Sequence, residues 1–151
     1  MCIRDRVGTA TAMREVSTQI PAETANSPDE AWAALFLGEG FDPVDGASRV
    51  NTLSRARNSL YASVRENGKT VAAGAAAFGH GWSSVHGMRT DQACRGRGLA
   101  GRVLAGIAAV AIQRGIGRTF LQVEDTNAAA LALYRRAGFE TAWSYEYWRR
   151  A

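Results

Sequence analysis

Arg95-Gly96-Arg97-Gly98-Leu99-Ala100 decides how this chain is read. The stretch joins a run of strand character, Ser83 to Thr90, to a run in which Leu99, Val103, Ile107 and Val110 recur at helical spacing. Glycines at such a junction let the backbone approach a ligand. The unpaired N–H groups of a first helical turn form a positively polarised anion site. A diphosphate suits that site, with Arg95 and Arg97 adding charge-assisted contacts. Gly96, Gly98 and Gly101 also satisfy G-x-G-x-x-G, but the context is wrong for a dinucleotide fold: the preceding strands are hairpin-connected, and Arg114 to Arg118 stand where an acidic residue about 20 positions on is needed. The G-K-[ST] ending of a phosphate loop is missing too. A turn that merely packs a helix is the plainer alternative.

Outward from this junction, the upstream strands form an antiparallel meander. Ser59 to Glu66 leads through Asn67-Gly68, a pair suited to a tight turn, into Lys69 to Phe78; Gly79 to Trp82 then turns the chain into Ser83 to Thr90. The small residues Ala72 to Ala77 imply that something packs closely on the middle strand. Downstream, Gly115 and Gly117 end the long helix. Thr119 to Glu124 reads as a strand, Asn127 to Ala137 as a helix stopped by Gly138, and Phe139 to Arg149 as an aromatic-rich strand. Further upstream, Ser27-Pro28-Asp29-Glu30 has the form of a helix start running to about Leu37, and a weaker helix follows from Ala47 to Arg57. Val16, Thr18 and Ile20 alternate within a possible short strand, Arg14 to Ile20. Residues 1–12 have no periodicity and are expected to be a disordered or non-native leader, leaving 13–151 as the domain.

Composition bounds the rest. At 151 residues, 46% hydrophobic and 21% charged, the chain can hold one domain with a core of its own. The formal charge of +4 comes from 18 basic and 14 acidic residues, and Lys69 is the only lysine. The densest basic cluster is Arg95, Arg97 and Arg102, which suits one anionic ligand and argues against a nucleic-acid partner. Cys2 and Cys94 do not suggest a disulfide framework, so the cytoplasm is the expected compartment. The apolar stretch Val103 to Ile112 is too short to cross a bilayer of about 30 Å, and no membrane partner is expected.

A second constellation is Asn127-Ala128-Ala129-Ala130-Leu131-Ala132-Leu133-Tyr134, followed by Gly138-Phe139. Tyr134 lies about two turns after Asn127 and so shares a side of that helix; alone, it would be read as a packed core aromatic. Together, R-x-x-G-x-A opening one helix and N-x-x-A-x-x-x-Y-x-x-x-G-F on the next closely resemble the GNAT superfamily of N-acetyltransferases, over about Ser59 to Arg149. Upstream the match is only a strand and two helices.

That resemblance implies an α+β fold: a mixed, mostly antiparallel central sheet flanked by helices and splayed between two central strands, with acetyl-CoA wedged in the opening. It implies that Met88, Arg89 and Thr90 pair their backbone with the pantetheine arm. Arg95, Gly96, Arg97, Gly98, Leu99 and Ala100 would hold the diphosphate, Asn127 would face the cofactor, and Tyr134 would be the general acid. Ala100 stands where the family commonly has Gly. No metal is implied. A homodimer is an option for the assembly.

Acetyl transfer needs a deprotonated amine, donors for a developing oxyanion, and a proton for a leaving thiolate whose pKa is about 8.5. Backbone N–H groups around Met88 are candidate oxyanion donors. Glu124, at a strand end beside the opening, is the first candidate base and His86 the second, with a water chain as the third option. Either residue has a structural alternative: Glu124 ordering the next loop, His86 sitting satisfied in the sheet. Cys94 beside Arg95 is not needed for direct transfer. Trp143, Tyr145 and Tyr147 share one face by period two, read as sheet packing in preference to an acceptor wall; Trp32 and Trp82 read as core or turn aromatics. The expected activity is direct acetyl transfer from acetyl-CoA to a primary amine of a small molecule or peptide. The rival is an inactive acetyl-CoA-binding module of the same superfamily, regulatory or half of a tandem protein, because Ser83 to Thr90 has no acidic residue.

Overall fold

The computed structural model describes residues 2–37, 42–55 and 58–146. In chain order the elements are β1 (Cys2–Thr9), α1 (Ala10–Arg14), β2 (Glu23–Ala25), α2 (Glu30–Phe36), α3 (Pro43–Arg55), β3 (Ser59–Glu66), β4 (Lys69–Gly79), β5 (Trp82–Thr90), a 3-10 turn at Gln92–Cys94, α4 (Leu99–Gln113), β6 (Arg118–Glu124), α5 (Ala128–Arg136) and β7 (Glu140–Glu146). The seven strands form one sheet in the order β2-β3-β4-β5-β6-β1-β7. All neighbours run antiparallel except β5 and β6.

The β3–β4 hairpin follows from its turn residues: Asn67 and Gly68 take φ of 53° and 77°, as a tight two-residue loop requires. The small residues of β4 let α4 settle on it. A Cβ on Gly74 would lie 2.6 Å from Met88 Sδ and 2.8 Å from Val103 Cγ1, so helix and strand meet here at glycine distance. Val103, Leu104 and Ile107 of α4 are fully buried in the main core with Leu60, Val64, Val85, Leu121 and Val123. Each such side chain contributes about 1.5–3 kcal/mol of burial. A second, smaller core on α2 packs Trp32 and Phe36 against Tyr61, with rings 4.6 and 5.2 Å from Trp32. Trp32 is thus a core residue.

What positions the site is where β5 and β6 part. Their pairing runs only from Trp82↔Arg118 to Val85↔Leu121. Beyond it β5 stays with β4, through a bulge between Ala73 and Ala75 and past Gly87 at φ 64°, while the end of β6 pairs with β1. The sheet therefore opens between His86–Thr90 and Gln122–Glu124.

Several upstream expectations need correction. Residues 2–9, set aside as a leader, form β1 and bridge β6 and β7, so the described fold begins at Cys2 and not at residue 13. Ladder hydrogen bonds to two partner strands prevail there over a run without hydrophobic alternation. The strand expected at Arg14 to Ile20 is absent. Thr9 Oγ1 caps α1 by accepting from Ala12 N at 3.2 Å, and Ala10 and Met13, three apart on that helix, are buried in the main core. Helix α2 is capped by Asp29, whose Oδ1 accepts from Trp32 N at 2.8 Å, and not by Ser27. Trp143 is 61% exposed, so sheet packing does not hold it. Tyr147, the side chain of Tyr145, and the ends of the stretches Ala47 to Arg57 and Phe139 to Arg149 lie outside the described residues.

Candidate active site

The loop that opens α4 is shaped by its neighbours as well as by its glycines. Asp91 ends β5: its N–H donates to Val71 O at 2.8 Å, its Oδ2 meets Lys69 Nζ at 2.9 Å, and its Oδ1 accepts from Ala93 N at 3.1 Å. The hydrogen bond from Lys69, then that from Ala93, hold the Asp91 carboxyl below its usual range. Gly96 and Gly98 then take φ of 81° and 76°, with Gly98 as the left-handed residue before the helix. No side chain caps α4, so the first-turn N–H groups remain available to a ligand.

Those groups border a cleft of about 640 Å³. Met88, Arg89 and Thr90 from the open end of β5, Arg95, Gly96, Gly98, Leu99 and Ala100 from the loop and helix, and Asn127 and Tyr134 from α5 all line it. Asn127 Oδ1 also caps α5 by accepting from Ala130 N at 3.2 Å. Tyr134 is 7% exposed, its ring lies edge-on to Phe139, and burial pushes its phenol pKa above the usual 10.0. It is therefore a protonated phenol, not a phenolate, at neutral pH. Cys94 lines the cleft as well.

Two expected residues lie elsewhere. Arg97 is outside the lining: its guanidinium pairs with Glu66, which raises its pKa further, and its carbonyl accepts from Gln19 Nε2 at 3.2 Å. Glu124 is exposed and also outside the lining. Leu121 and Val123 on β6 turn into the core with α4, so Glu124, like Phe120 and Gln122, faces the other side of the sheet. His86 shares that side, being one residue on from buried Val85. Its Nδ1 is 3.5 Å from Ser84 Oγ, and burial lowers its pKa below 6.5, so it is neutral and able to accept a proton at pH 7. Trp82, also on β5, stacks edge-on with Phe120 at 6.0 Å.

Sequence reasoning missed one wall altogether. Val16, Ser17, Thr18 and Gln19 run along the mouth of the cleft, tied to α4 by Arg102 Nε donating to Ile20 O at 2.7 Å and by Ala22 N donating to Arg102 O at 2.9 Å. No motif marks them. Arg136, exposed in the last turn of α5, adds a cation to the lining. Among the described residues no cluster of three or more His, Cys, Asp or Glu is placed to hold a metal ion, and no helix is long and apolar enough to cross a membrane.

The N-alpha-acetyltransferase RimI of Mycobacterium tuberculosis is 36% identical over 115 residues, covering 74% of this chain and 69% of its own length. The mycothiol acetyltransferase of Salinispora tropica is 30% identical over 131 residues, covering 77% of this chain. The chain spans only 42% of that relative's length. In fold, the chain is similar to the solved structure of AAC(6')-Iy in complex with the bisubstrate analogue CoA-S-monomethyl-acetylneamine, with a TM-score of 0.62 at 16% identity over 81% of this chain and 90% of that one. A profile of the acetyltransferase (GNAT) family matches residues 23–139, taking in the hairpins, the glycine-rich loop and both cleft helices, and the chain belongs to that family.

Proposed function

We propose that this protein transfers an acetyl group directly from acetyl-CoA to a primary amine of a small molecule or peptide, in the cytoplasm. The observation that carries the reading is the cleft itself: the open end of β5, the uncapped N-terminus of α4 and the buried phenol of α5 border one cavity. A relative named as an N-alpha-acetyltransferase supports an amine acceptor.

The donor set fits acetyl-CoA. Unpaired N–H groups of α4, with Arg95 and Arg136 nearby, suit a diphosphate. The stretch Met88–Thr90, beyond the end of the ladder to β6, suits an amide-bearing arm. Acetyl-CoA when bound supplies the thioester. Tyr134, held neutral by burial, donates its proton to the departing sulfur. Of the two candidate bases, His86 is the better supported. Its imidazole is half-buried and neutral at pH 7, whereas Glu124 is exposed; neither side chain lines the cleft. Both lie on the face opposite α4, from which an amine would approach.

The test is release of free thiol from acetyl-CoA across a panel of amines that spans polyamines, amino sugars and peptide N-termini. Acceptor-dependent release with at least one class is the expected result. Tight acetyl-CoA binding with no release on any member would favour the inactive-module reading instead.

A further inference from the structure

The side chain of Arg97 leaves the cleft that its loop helps to build. It pairs with Glu66, the last residue of β3, while its carbonyl is held by the amide of Gln19 at 3.2 Å. These partners lie 31 and 78 positions away in the chain. On the far side of the same β3–β4 turn, Lys69 grips Asp91 at 2.9 Å, so the turn holds the loop at its first residue as well as near its end. Gly96 and Gly98, both at positive φ on either side of Arg97, leave the loop little rigidity of its own.

Charge alone makes Glu66 a poor neighbour for a polyanion, and its carboxylate would be expected to repel a diphosphate. Its pairing with Arg97 gives it another use. We propose that Arg97 is a positioning residue and not a phosphate ligand: Glu66 and Gln19 hold it from two distant segments, fix the loop between Gly96 and Gly98, and so aim the α4 N–H groups at the diphosphate. The inference rests on reading the cleft as an acetyl-CoA site.

Calorimetry with acetyl-CoA, accompanied by melting curves, separates the two roles. If Arg97 positions the loop, Glu66→Gln and Arg97→Gln each weaken binding about twofold to fivefold, as expected for a partly exposed ion pair. The double variant is then no weaker than the worse single one. The exchange of Glu66→Arg with Arg97→Glu recovers part of the loss, although it moves a negative charge into the loop. Gln19→Ala weakens binding independently of charge. Tighter or unchanged binding in Glu66→Gln, with weakening in Arg97→Gln, makes Arg97 a phosphate ligand and overturns the proposal. A lower melting temperature with unaltered affinity in both single variants overturns it as well. Failure of the unaltered protein to bind acetyl-CoA removes the functional reading and this inference together, whereas normal binding with an indifferent Glu66→Gln removes the inference alone.

Discussion

On the β5–α4 wall of the cleft the groups offered to a ligand are main-chain N–H donors, exposed by two glycines at positive φ. On the α5 wall they are side chains: Asn127 at the helix start, the buried Tyr134 two turns on, and Arg136 in the last turn. Backbone donors cannot be deleted by truncating a side chain; they can only be mis-aimed. A phenolic hydroxyl can be removed as a single atom while the ring stays in the core. The first wall should therefore govern how tightly acetyl-CoA is held, and the second what happens to its sulfur.

Tyr134→Phe should cause the largest effect. The ring packs against Phe139 and is 7% exposed, so Phe preserves the ring's shape and removes only the hydroxyl. Loss of a general acid should lower kcat about 10²- to 10³-fold, with acetyl-CoA affinity changed less than about twofold. The sign with pH follows from the cause of the shift. Burial raises the phenol pKa above 10.0, so Tyr134 stays protonated at every pH below that and its contribution should be lost as pH rises through the raised value, while protonation of His86, whose pKa burial lowers below 6.5, should set a separate loss on the acid side. A pH–rate profile of both proteins checks this; unchanged turnover in the variant would remove the acid role and erase the contrast between the walls.

The mirror experiment on the other wall is Gly98→Val. At φ 76° a β-branched residue is strained, by about 1–3 kcal/mol, and its Cβ would come 2.9 Å from Gln19 Nε2. The amide can swing aside, but only by giving up its bond to the Arg97 carbonyl. Relief of this strain re-aims the first turn of α4, so acetyl-CoA binding should weaken about tenfold or more while kcat at saturation falls far less. A titration followed by saturation kinetics reads both quantities. An unaltered dissociation constant would show that the α4 N-terminus does not hold the diphosphate.

The two walls were also legible for different reasons. Gly96, Gly98 and the period of Leu99, Val103 and Ile107 announce a helix opened by glycine, and Asn67-Gly68 announces the hairpin before it, because the decisive forces there are local. Tyr134 could be placed on the Asn127 side of its helix by spacing alone. Its burial needed the fold. The first strand could not be read at all. Arg4, Asp5 and Arg6 break any alternation, and the segment is a strand because β6 and β7 each offer it an edge more than 100 residues away. Val16, Thr18 and Ile20 alternate like a strand, yet Arg102 takes the Ile20 carbonyl and the chain runs along α4 instead. Glu124 was misplaced for a simpler reason: its strand end is beside the opening, but the parity set by Leu121 and Val123 turns its side chain to the other face. The pairing of Arg97 with Glu66, 31 positions away, is likewise a product of the fold that no local pattern announces.

Asn127 lets the contrast be sharpened at the smallest scale, because one side chain serves both fold and ligand. Its Oδ1 caps α5 at Ala130 N, and the residue lines the cleft. Asn127→Ala loses both, which should cost about 1 kcal/mol of stability, or about 2–4 °C in Tm for a chain of this size. Asn127→Asp separates them. The carboxylate keeps a capping oxygen at a helix N-terminus, where negative charge is favoured, so Tm should return to that of the unaltered protein or exceed it slightly. At the same time the NH2 donor disappears and an anion takes its place in a cleft built for an anionic ligand, so acetyl-CoA affinity should fall in Asp at least as far as in Ala. Should affinity instead follow stability, recovering in Asp along with Tm, Asn127 acts only by holding α5 in place, and Tyr134 and Arg136 are then the polar side chains through which that wall meets the substrate.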